Sequence, residues 1–179
     1  DRNPDRSAFV MAATGERVSY QEFEARSNRV AHYLADKGLG FQDHYSIFME
    51  NNNRYLESCA AGERSGLYFT CINSFLTSDE LAYIINNSES QILITSMSKL
   101  EAAQEALAQC AAIKEVLVVG AGDADLPEGM SDFASTLSKY PETPLERELL
   151  GAAMLYSSGT TGRPKGIVRP LPEQSPNEP

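Results

Sequence analysis

Near the end of the chain, one short run combines the side chains needed to hold an anion. Residues 156–166 have the sequence YSSGTTGRPKG, and an apolar run, Ala152 to Tyr156, predicts a strand that leads into them. A glycine-rich turn can aim several backbone N–H groups at one anion, and lysine adds a compact positive charge that suits a phosphate oxygen. The run therefore predicts recognition of a polyphosphate through four hydroxyls, three glycines and two cations: Ser157, Ser158, Thr160, Thr161, Gly159, Gly162, Gly166, Arg163 and Lys165.

The common phosphate-loop pattern, G-x-x-x-x-G-K-[ST] at the start of a helix, does not describe this run. Counting from Gly159 places Pro164 where the second glycine should be, and Gly166 follows Lys165 where serine or threonine is required. Pro164 would also interrupt a helix that began inside the run, because proline lacks the backbone N–H and clashes with the preceding turn. The sequence predicts a phosphate-binding segment of another kind.

Residues 157–166, SSGTTGRPKG, resemble the signature segment of the adenylate-forming superfamily, and every position fits that family's pattern. The superfamily comprises acyl-CoA synthetases, adenylation domains of peptide synthetases and firefly-type luciferases. The continuation, Ile167 to Pro170, is more similar to the acyl-CoA ligase branch. The resemblance implies a two-step reaction. A carboxylate attacks the α-phosphate of ATP to give an acyl-adenylate and pyrophosphate, and a thiol, usually that of coenzyme A, then displaces AMP.

The same resemblance implies roles for particular residues. The segment would hold the β- and γ-phosphates of ATP while they leave, which is electrostatic positioning rather than covalent chemistry. Thr160 would supply the hydroxyl that reaches Mg²⁺, whereas Arg163 lies at a variable position of the family pattern and has no assigned role. The expected phosphate-binding residues are Ser157, Ser158, Gly159, Thr160, Thr161, Gly162 and Lys165.

Members of the superfamily are several times longer than this chain, so the resemblance covers their opening part. It implies that the adenine-recognition segment, the ribose-binding acid, the acyl pocket and the C-terminal lid with its catalytic lysine lie downstream. Lys165 is not that lysine, and we expect no catalytic residue in this chain. The parent enzyme would act on a carboxylic acid, most simply a fatty acid, with ATP and CoA, whereas the isolated chain should catalyse neither half-reaction.

Composition sets broad limits on function. The chain has 179 residues, 42% of them hydrophobic, which suffices for one domain with a core but not for two large ones. Its net charge of −10 argues against a nucleic-acid partner, because binding a phosphate backbone needs a basic face. No apolar run approaches the roughly 18 residues of a membrane span. We expect a cytoplasmic protein that binds small molecules, with peripheral contact with a membrane left open.

The cysteines and histidines give no sign of a site. Cys59, Cys71 and Cys110 are odd in number, widely spaced and without a C-x-x-C pair, so neither a disulfide framework nor a zinc site is indicated. We expect buried, reduced thiols with a packing role. His32 and His44 have no nucleophile or ligand nearby in the sequence, and we interpret both as structural.

Strands that alternate with helices must position the segment. Three capping-box patterns, each a hydroxyl residue followed three positions later by glutamate, predict helices that begin after Ser19, Thr77 and Ser98. Short apolar runs predict strands at 8–11, 45–49, 67–72, 91–95 and 115–119. This alternation is typical of βαβ units with right-handed crossovers. We predict an α/β fold, a mostly parallel sheet with helices on both faces, similar to the N-terminal portion of an adenylate-forming enzyme's large domain.

Two further helices are predicted with less regular patterns. One runs from Asn52 to about Ser65 with Asn51 as its cap, and its apolar side chains, Leu56 among them, are expected to face inward. Another side of this helix carries small residues that should let a neighbouring backbone approach closely: Ser58, Ala61, Gly62 and Ser65. A short helix is predicted at 131–140.

The domain boundaries follow from composition. We assign residues 1–169 to the α/β part, which ends in the phosphate-binding segment 156–166, and residues 170–179 to an irregular proline-rich tail. Gly120 and Gly122 do not make a dinucleotide site, because Asp125 occupies the place of the third glycine. Asn73 and Phe75, after the strand at 67–72, are interpreted as surface or packing residues.

Three functions from different classes remain open. The favoured one is part of an acyl-CoA synthetase. The second is an adenylation module that loads a carrier protein, or a luciferase-like relative, which the segment cannot distinguish from the first. The third is a non-catalytic α/β interaction domain whose segment is vestigial.

Overall fold

A computed structural model describes residues 3–157, 163–176 and 178. The helices are α1 (Tyr20–Asp36), α2 (Tyr55–Ser65), α3 (Ser78–Asn87), α4 (Leu100–Leu107) and α5 (Phe133–Leu137), and a 3₁₀ turn (Met97–Lys99) precedes α4. The strands are β1 (Ser7–Val10), β2 (Arg17–Ser19), β3 (His44–Phe48), β4 (Tyr68–Cys71), β5 (Ile92–Ser96), β6 (Glu115–Val119), β7 (Met130–Asp132), β8 (Ala152–Ala153), β9 (Leu155–Ser157) and β10 (Lys165–Ile167).

Six strands form one parallel sheet in the order β7-β6-β5-β3-β4-β8. The chain passes from β3 to β4 on one side and then crosses to β5 on the other side of β3. The carboxyl ends of β3 and β5 therefore flank the point where the winding direction changes, which is the usual ligand crevice of an open α/β sheet. The predicted α/β fold with a mostly parallel sheet is confirmed.

The two faces of the sheet carry separate cores. Alternate strand residues point to opposite faces, so Tyr45 and Ile47 of β3 pack with α1, α2 and α5, whereas Phe48 packs with α3 and α4. Helices cover both faces, as predicted.

Two of the three predicted capping boxes are present. The Ser19 hydroxyl accepts a 3.2 Å hydrogen bond from the amide of Glu22, whose carboxylate accepts one from the Ser19 amide, and Thr77 is arranged in the same way at α3. The third prediction was wrong. Ser98 lies in the 3₁₀ turn, and its hydroxyl donates a 2.5 Å hydrogen bond to the carboxylate of Glu50 instead of capping α4.

The prediction for the apolar side chains of α2 was only partly right. Tyr55 and Cys59 pack against the core as predicted, but Leu56 does not. Leu56 is 47% exposed, and the helix instead buries a polar and small-residue face made of Glu57, Ser58, Ala61 and Gly62. The reason is close packing: a Cβ on Gly62 would lie 2.7 Å from the Tyr45 hydroxyl. A Cβ on Gly151, just before β8, would lie 2.1 Å from the carbonyl oxygen of Gly62, which confirms that a neighbouring backbone approaches the small residues.

Several element boundaries differ from the predictions because side chains compete for backbone groups. The Asn52 side chain accepts a 2.8 Å hydrogen bond from the Arg54 amide, so α2 begins at Tyr55 rather than Asn52. Residues 131–140 begin with β7, and α5 follows with Asp132 as its N-cap.

The C-terminal part of the chain packs back on the sheet. The strand predicted at 152–156 is two strands, since β8 extends the parallel sheet beside β4 whereas β9 pairs with β10. Beyond β10 the described residues form no helix or strand, but Leu171 is buried against Tyr68 and Met154. The Tyr68 hydroxyl also donates a 2.5 Å hydrogen bond to the carbonyl of Arg169.

Candidate functional site

The hairpin of β9 and β10 brackets the segment with the predicted phosphate-binding residues. In this antiparallel pair Ser157 is opposite Lys165, Tyr156 is opposite Gly166, and Leu155 is opposite Ile167. Directly opposite residues place their Cβ atoms about 4.5–5.5 Å apart on the same face. The structure therefore brings together the first and last of the predicted residues, and both side chains are exposed. The others lie outside the described residues: Ser158, Gly159, Thr160, Thr161 and Gly162.

The inner face of the hairpin is fixed by Tyr156. Its ring packs against the core under α3, and its hydroxyl donates a 2.8 Å hydrogen bond to the Asn87 side chain at the end of α3. Burial raises the pKa of Tyr156 to about 12, which keeps the hydroxyl a donor at neutral pH. A Cβ on Gly166 would lie 3.0 Å from the Tyr156 ring and 2.3 Å from Met154, so glycine leaves the room that this packing requires.

Tyr83 of α3 makes a second connection to the segment. Its hydroxyl donates a 2.9 Å hydrogen bond to the carbonyl oxygen of Pro164, and the Arg163 guanidinium lies 5.0 Å from the centre of its ring. Arg163, to which the sequence assigned no role, thus makes a cation–π contact with α3. A cavity of about 430 Å³ lies beside these groups, lined by Leu76, Asp79, Glu80, Tyr83, Arg163 and Pro164. Its two carboxylates make it unsuitable for a triphosphate.

The outer face of the hairpin is apolar apart from its two polar ends. Leu155 is 60% exposed and Ile167 53%, and they share this face with Ser157 and Lys165 because strand residues alternate. Ser157 and Lys165 therefore lie next to an exposed apolar strip formed by Leu155 and Ile167.

A second group lies at the change of winding direction in the sheet, and the sequence did not predict it. The Glu50 carboxylate, after β3, accepts 2.5 Å hydrogen bonds from the hydroxyls of Ser96 and Ser98, at the end of β5. Burial opposes ionisation of Glu50, but these hydrogen bonds outweigh it and lower its pKa. A shallow cavity of about 330 Å³ lies nearby and includes Phe75, which is 90% exposed. A carboxylate satisfied by hydroxyls indicates a structural link between strands.

Both histidines contact other groups of the protein. His32 Nε2 lies 2.9 Å from the carbonyl oxygen of Thr143, and the His44 ring stacks on Tyr68, where burial lowers its pKa.

Within the described ranges no group of three or more histidines, cysteines or carboxylates could hold a metal ion. No helix among the described residues is long and apolar enough to cross a membrane. The expectation of buried thiols holds for Cys110 but is wrong for Cys71, which is exposed.

Comparisons with known proteins agree with this architecture. The chain is 31% identical over 172 residues to 3-oxocholest-4-en-26-oate–CoA ligase of Rhodococcus rhodochrous, covering 94% of this chain and 31% of that protein. It is 29% identical over 157 residues to long-chain-fatty-acid–CoA ligase of Thermus thermophilus, covering 87% of this chain and 28% of the relative. The chain thus spans less than a third of the length of these curated relatives.

The fold also matches a solved structure. The crystal structure of anthranilate CoA ligase AuaEII in complex with anthranoyl-AMP superposes with a TM-score of 0.82 at 22% identity, over 93% of this chain and 32% of that one. The profile of the AMP-binding enzyme family matches residues 1–171. On this evidence the chain belongs to the AMP-binding enzyme family, within the adenylate-forming superfamily.

Proposed function

We propose that this chain forms the part of an AMP-forming acid–thiol ligase that holds the β- and γ-phosphates of MgATP through residues 156–166. The observation that carries the proposal is the placement of Ser157 and Lys165 opposite each other on β9 and β10. A hydroxyl donor and an ammonium group thereby stand together at the two ends of the segment, where the phosphate-binding residues of the family pattern are concentrated.

The hairpin suits this role because its base is held on α3. Tyr156 and Tyr83 make hydrogen bonds that link β9 and Pro164 to that helix, so the backbone that carries Lys165 is held in place before a ligand arrives. A preorganised charge stabilises a leaving phosphate group better than one that must be ordered during the reaction. Arg163 adds positive charge within the segment, in a protein whose net charge is −10.

In this proposal the chain's residues bind and orient one end of the nucleotide. Lys165 and the hydroxyls neutralise charge on the β- and γ-phosphates, which favours departure of pyrophosphate when the carboxylate attacks the α-phosphate. Mg²⁺ enters with ATP, and hydroxyl and phosphate oxygens are ligands that this ion prefers. We assign to Thr160 the protein hydroxyl that reaches it. We assign no catalytic residue to this chain.

The names of the relatives suggest the other substrates. The Rhodococcus and Thermus relatives are named as CoA ligases of a steroid acid and of long-chain fatty acids. We infer that the parent protein joins an apolar carboxylic acid to CoA, in the cytoplasm, and that groups outside these 179 residues bind adenine, the acid and the thiol. If the parent protein transferred the acyl group to a carrier protein but not to CoA, this inference would be wrong. The second hypothesis, an adenylation module that loads a carrier protein, would then take its place.

The binding role can be tested with the 179-residue chain itself. We expect MgATP and magnesium pyrophosphate to bind weakly in isothermal titration calorimetry, because this chain supplies only part of the proposed ligand site. Lys165→Ala should weaken both by roughly tenfold, the equivalent of about 1.4 kcal/mol, since a charge-assisted hydrogen bond to phosphate is lost.

The matched control is Lys139→Ala, which removes an exposed lysine that follows α5. This variant should bind as the wild type does. Equal weakening by both substitutions would mean that phosphate is attracted only by general charge, and would contradict the proposal. We also expect no ATP–pyrophosphate exchange by the chain with a panel of fatty and aromatic acids, and measurable exchange would refute the assignment of catalysis to groups outside it.

A further inference from the structure

Two cysteines from consecutive elements meet at one end of the sheet. Cys59 lies in α2 and Cys71 is the last residue of β4, and their sulfur atoms are 3.7 Å apart. Both are free thiols, Cys59 half-buried and Cys71 exposed. The third cysteine, Cys110, is buried under α3 and α4 with its thiol directed to the carbonyl of Ala82. Only the first two can therefore meet both each other and a dissolved reagent.

The surroundings favour a thiolate on Cys71. The Cys59 thiol, 3.7 Å away, is the main group that lowers the pKa of Cys71, and the nearby Tyr55 hydroxyl acts in the same direction. A lowered pKa increases the fraction of Cys71 that is present as the nucleophilic thiolate at neutral pH. The pKa of Cys59 is raised because it donates to this thiolate and is partly buried. Cys71 can therefore act as the nucleophile, while Cys59 stays protonated.

We propose that Cys59 and Cys71 form a reversible dithiol–disulfide pair that is oxidised by hydroperoxides. The Cys71 thiolate attacks the terminal, hydrogen-bearing peroxide oxygen, the O–O bond breaks, and the leaving oxygen takes a proton and departs as water or an alcohol. The Cys59 sulfur then attacks the sulfenic acid of Cys71, the S–O bond breaks, and the hydroxide leaves as water with the Cys59 proton. Two thiols and one hydroperoxide yield a disulfide, an alcohol or water, and one further water.

Formation of the disulfide would change contacts beyond the two cysteines. It links α2 covalently to the end of β4 and removes the Cys71 thiolate, whose pKa Tyr55 helps to lower. Tyr55 also lines the cavity of about 330 Å³ at the carboxyl ends of β3 and β4. Oxidation should therefore alter this cavity from one side. The proposal is independent of the phosphate-binding role, because none of the three residues belongs to the segment 156–166.

Peptide mapping tests the pair directly, because Arg64 separates the two cysteines for trypsin. We expect that an equimolar dose of hydrogen peroxide at pH 7, followed by blocking with N-ethylmaleimide, gives a linked species of peptides 55–64 and 65–99 that is two hydrogen atoms lighter than their sum. Peptide 100–114, which contains Cys110, should carry the blocking group. Dithiothreitol should restore both thiols.

Variants assign the roles within the pair. Cys59→Ser should leave a sulfenic acid on Cys71 that dimedone traps, and Tyr55→Phe should move the midpoint of Cys71 alkylation by iodoacetamide to higher pH. Cys110→Ser should form the linked species as the wild type does. The proposal is overturned if the wild type links these peptides only in urea, if Cys110 oxidises as fast, or if Cys71 goes to sulfinic acid while Cys59 stays reduced.

Discussion

The Tyr83 hydroxyl of α3 donates a 2.9 Å hydrogen bond to the carbonyl oxygen of Pro164, across a separation of 81 residues in the sequence. The same ring carries the Arg163 guanidinium 5.0 Å from its centre. Tyr83 thus connects α3, which packs against the central sheet, to the segment 156–166, for which the sequence predicts phosphate binding.

Tyr83→Phe should lower the free energy of unfolding by about 0.5–1.5 kcal/mol, the usual net contribution of one hydrogen bond. The ring remains, so the cation–π contact with Arg163 should persist. Urea unfolding followed by circular dichroism measures the change. Tyr20→Phe, at an exposed position, is the matched control and should be within about 0.5 kcal/mol of wild type. A loss no larger than the control's would show that the Pro164 contact contributes nothing.

Gly151→Ala should destabilise the protein strongly, by about 1–3 kcal/mol or more, because overpacking forces the backbone to shift. Its Cβ would lie 2.1 Å from the carbonyl oxygen of Gly62 and 2.5 Å from that of Leu67, and neither main-chain atom can rotate away. Thermal and urea unfolding should both show the loss.

Gly40→Ala provides the comparison. The nearest atom to its added Cβ would be a carboxylate oxygen of Asp43 at 3.9 Å, an ordinary contact, and the position has no positive φ. Its stability should stay close to that of the wild type. If Gly151→Ala and Gly40→Ala unfolded at the same denaturant concentration, the prediction would be wrong. Glycine at position 151 would then not be required by the close approach of β8 to α2.

Ser19→Ala should cost about 1 kcal/mol of unfolding free energy, because the amide of Glu22 loses its acceptor at the first turn of α1. Asparagine can accept the same hydrogen bond, so Ser19→Asn should restore most of the loss. The denaturant midpoints of wild type, Ser19→Ala and Ser19→Asn measure these differences in stability. If Ser19→Asn were as unstable as Ser19→Ala, loss of the cap would not be the cause.

Glu57 gives the stability of the protein a defined pH dependence. Burial raises its pKa, although Arg54 and Arg26 partly oppose this. The folded protein therefore binds a proton at a higher pH than the unfolded chain does, and the contribution of Glu57 decreases as pH rises through the folded-state pKa. The free energy of unfolding of wild type minus that of Glu57→Gln should become more positive as pH falls from about 7 to about 5.

Glu24→Gln should show the opposite trend. A hydrogen bond from Arg64 lowers the pKa of Glu24, so its stabilisation is present above the unfolded-state pKa and is lost as pH falls through the folded-state value. Urea titrations measure the two slopes, from about pH 7 to about pH 5 for Glu57→Gln and from about pH 5 to about pH 3 for Glu24→Gln, since a lowered carboxyl pKa loses its stabilisation only below the unfolded-state value. Parallel slopes would contradict the assignment of opposite shifts.

Local patterns made much of the architecture predictable. The alternation of strands with capped helices predicted a mostly parallel sheet, and the spacing of Ser19 with Glu22 located the start of α1 within one residue. Where a local pattern competed with a distant partner, it failed. Ser98 has the spacing of a cap, but its hydroxyl bonds to Glu50, a distant residue that follows β3.

The sequence by itself determined the alternation of elements and predicted phosphate binding by the segment 156–166, because both depend on neighbours along the chain. Only the tertiary structure decided that α2 buries Gly62 rather than Leu56, that Tyr83 contacts Pro164, and that Cys59 meets Cys71. These contacts depend on how closely separate elements pack, and the space left between two packed backbones is not encoded in the periodicity of either one.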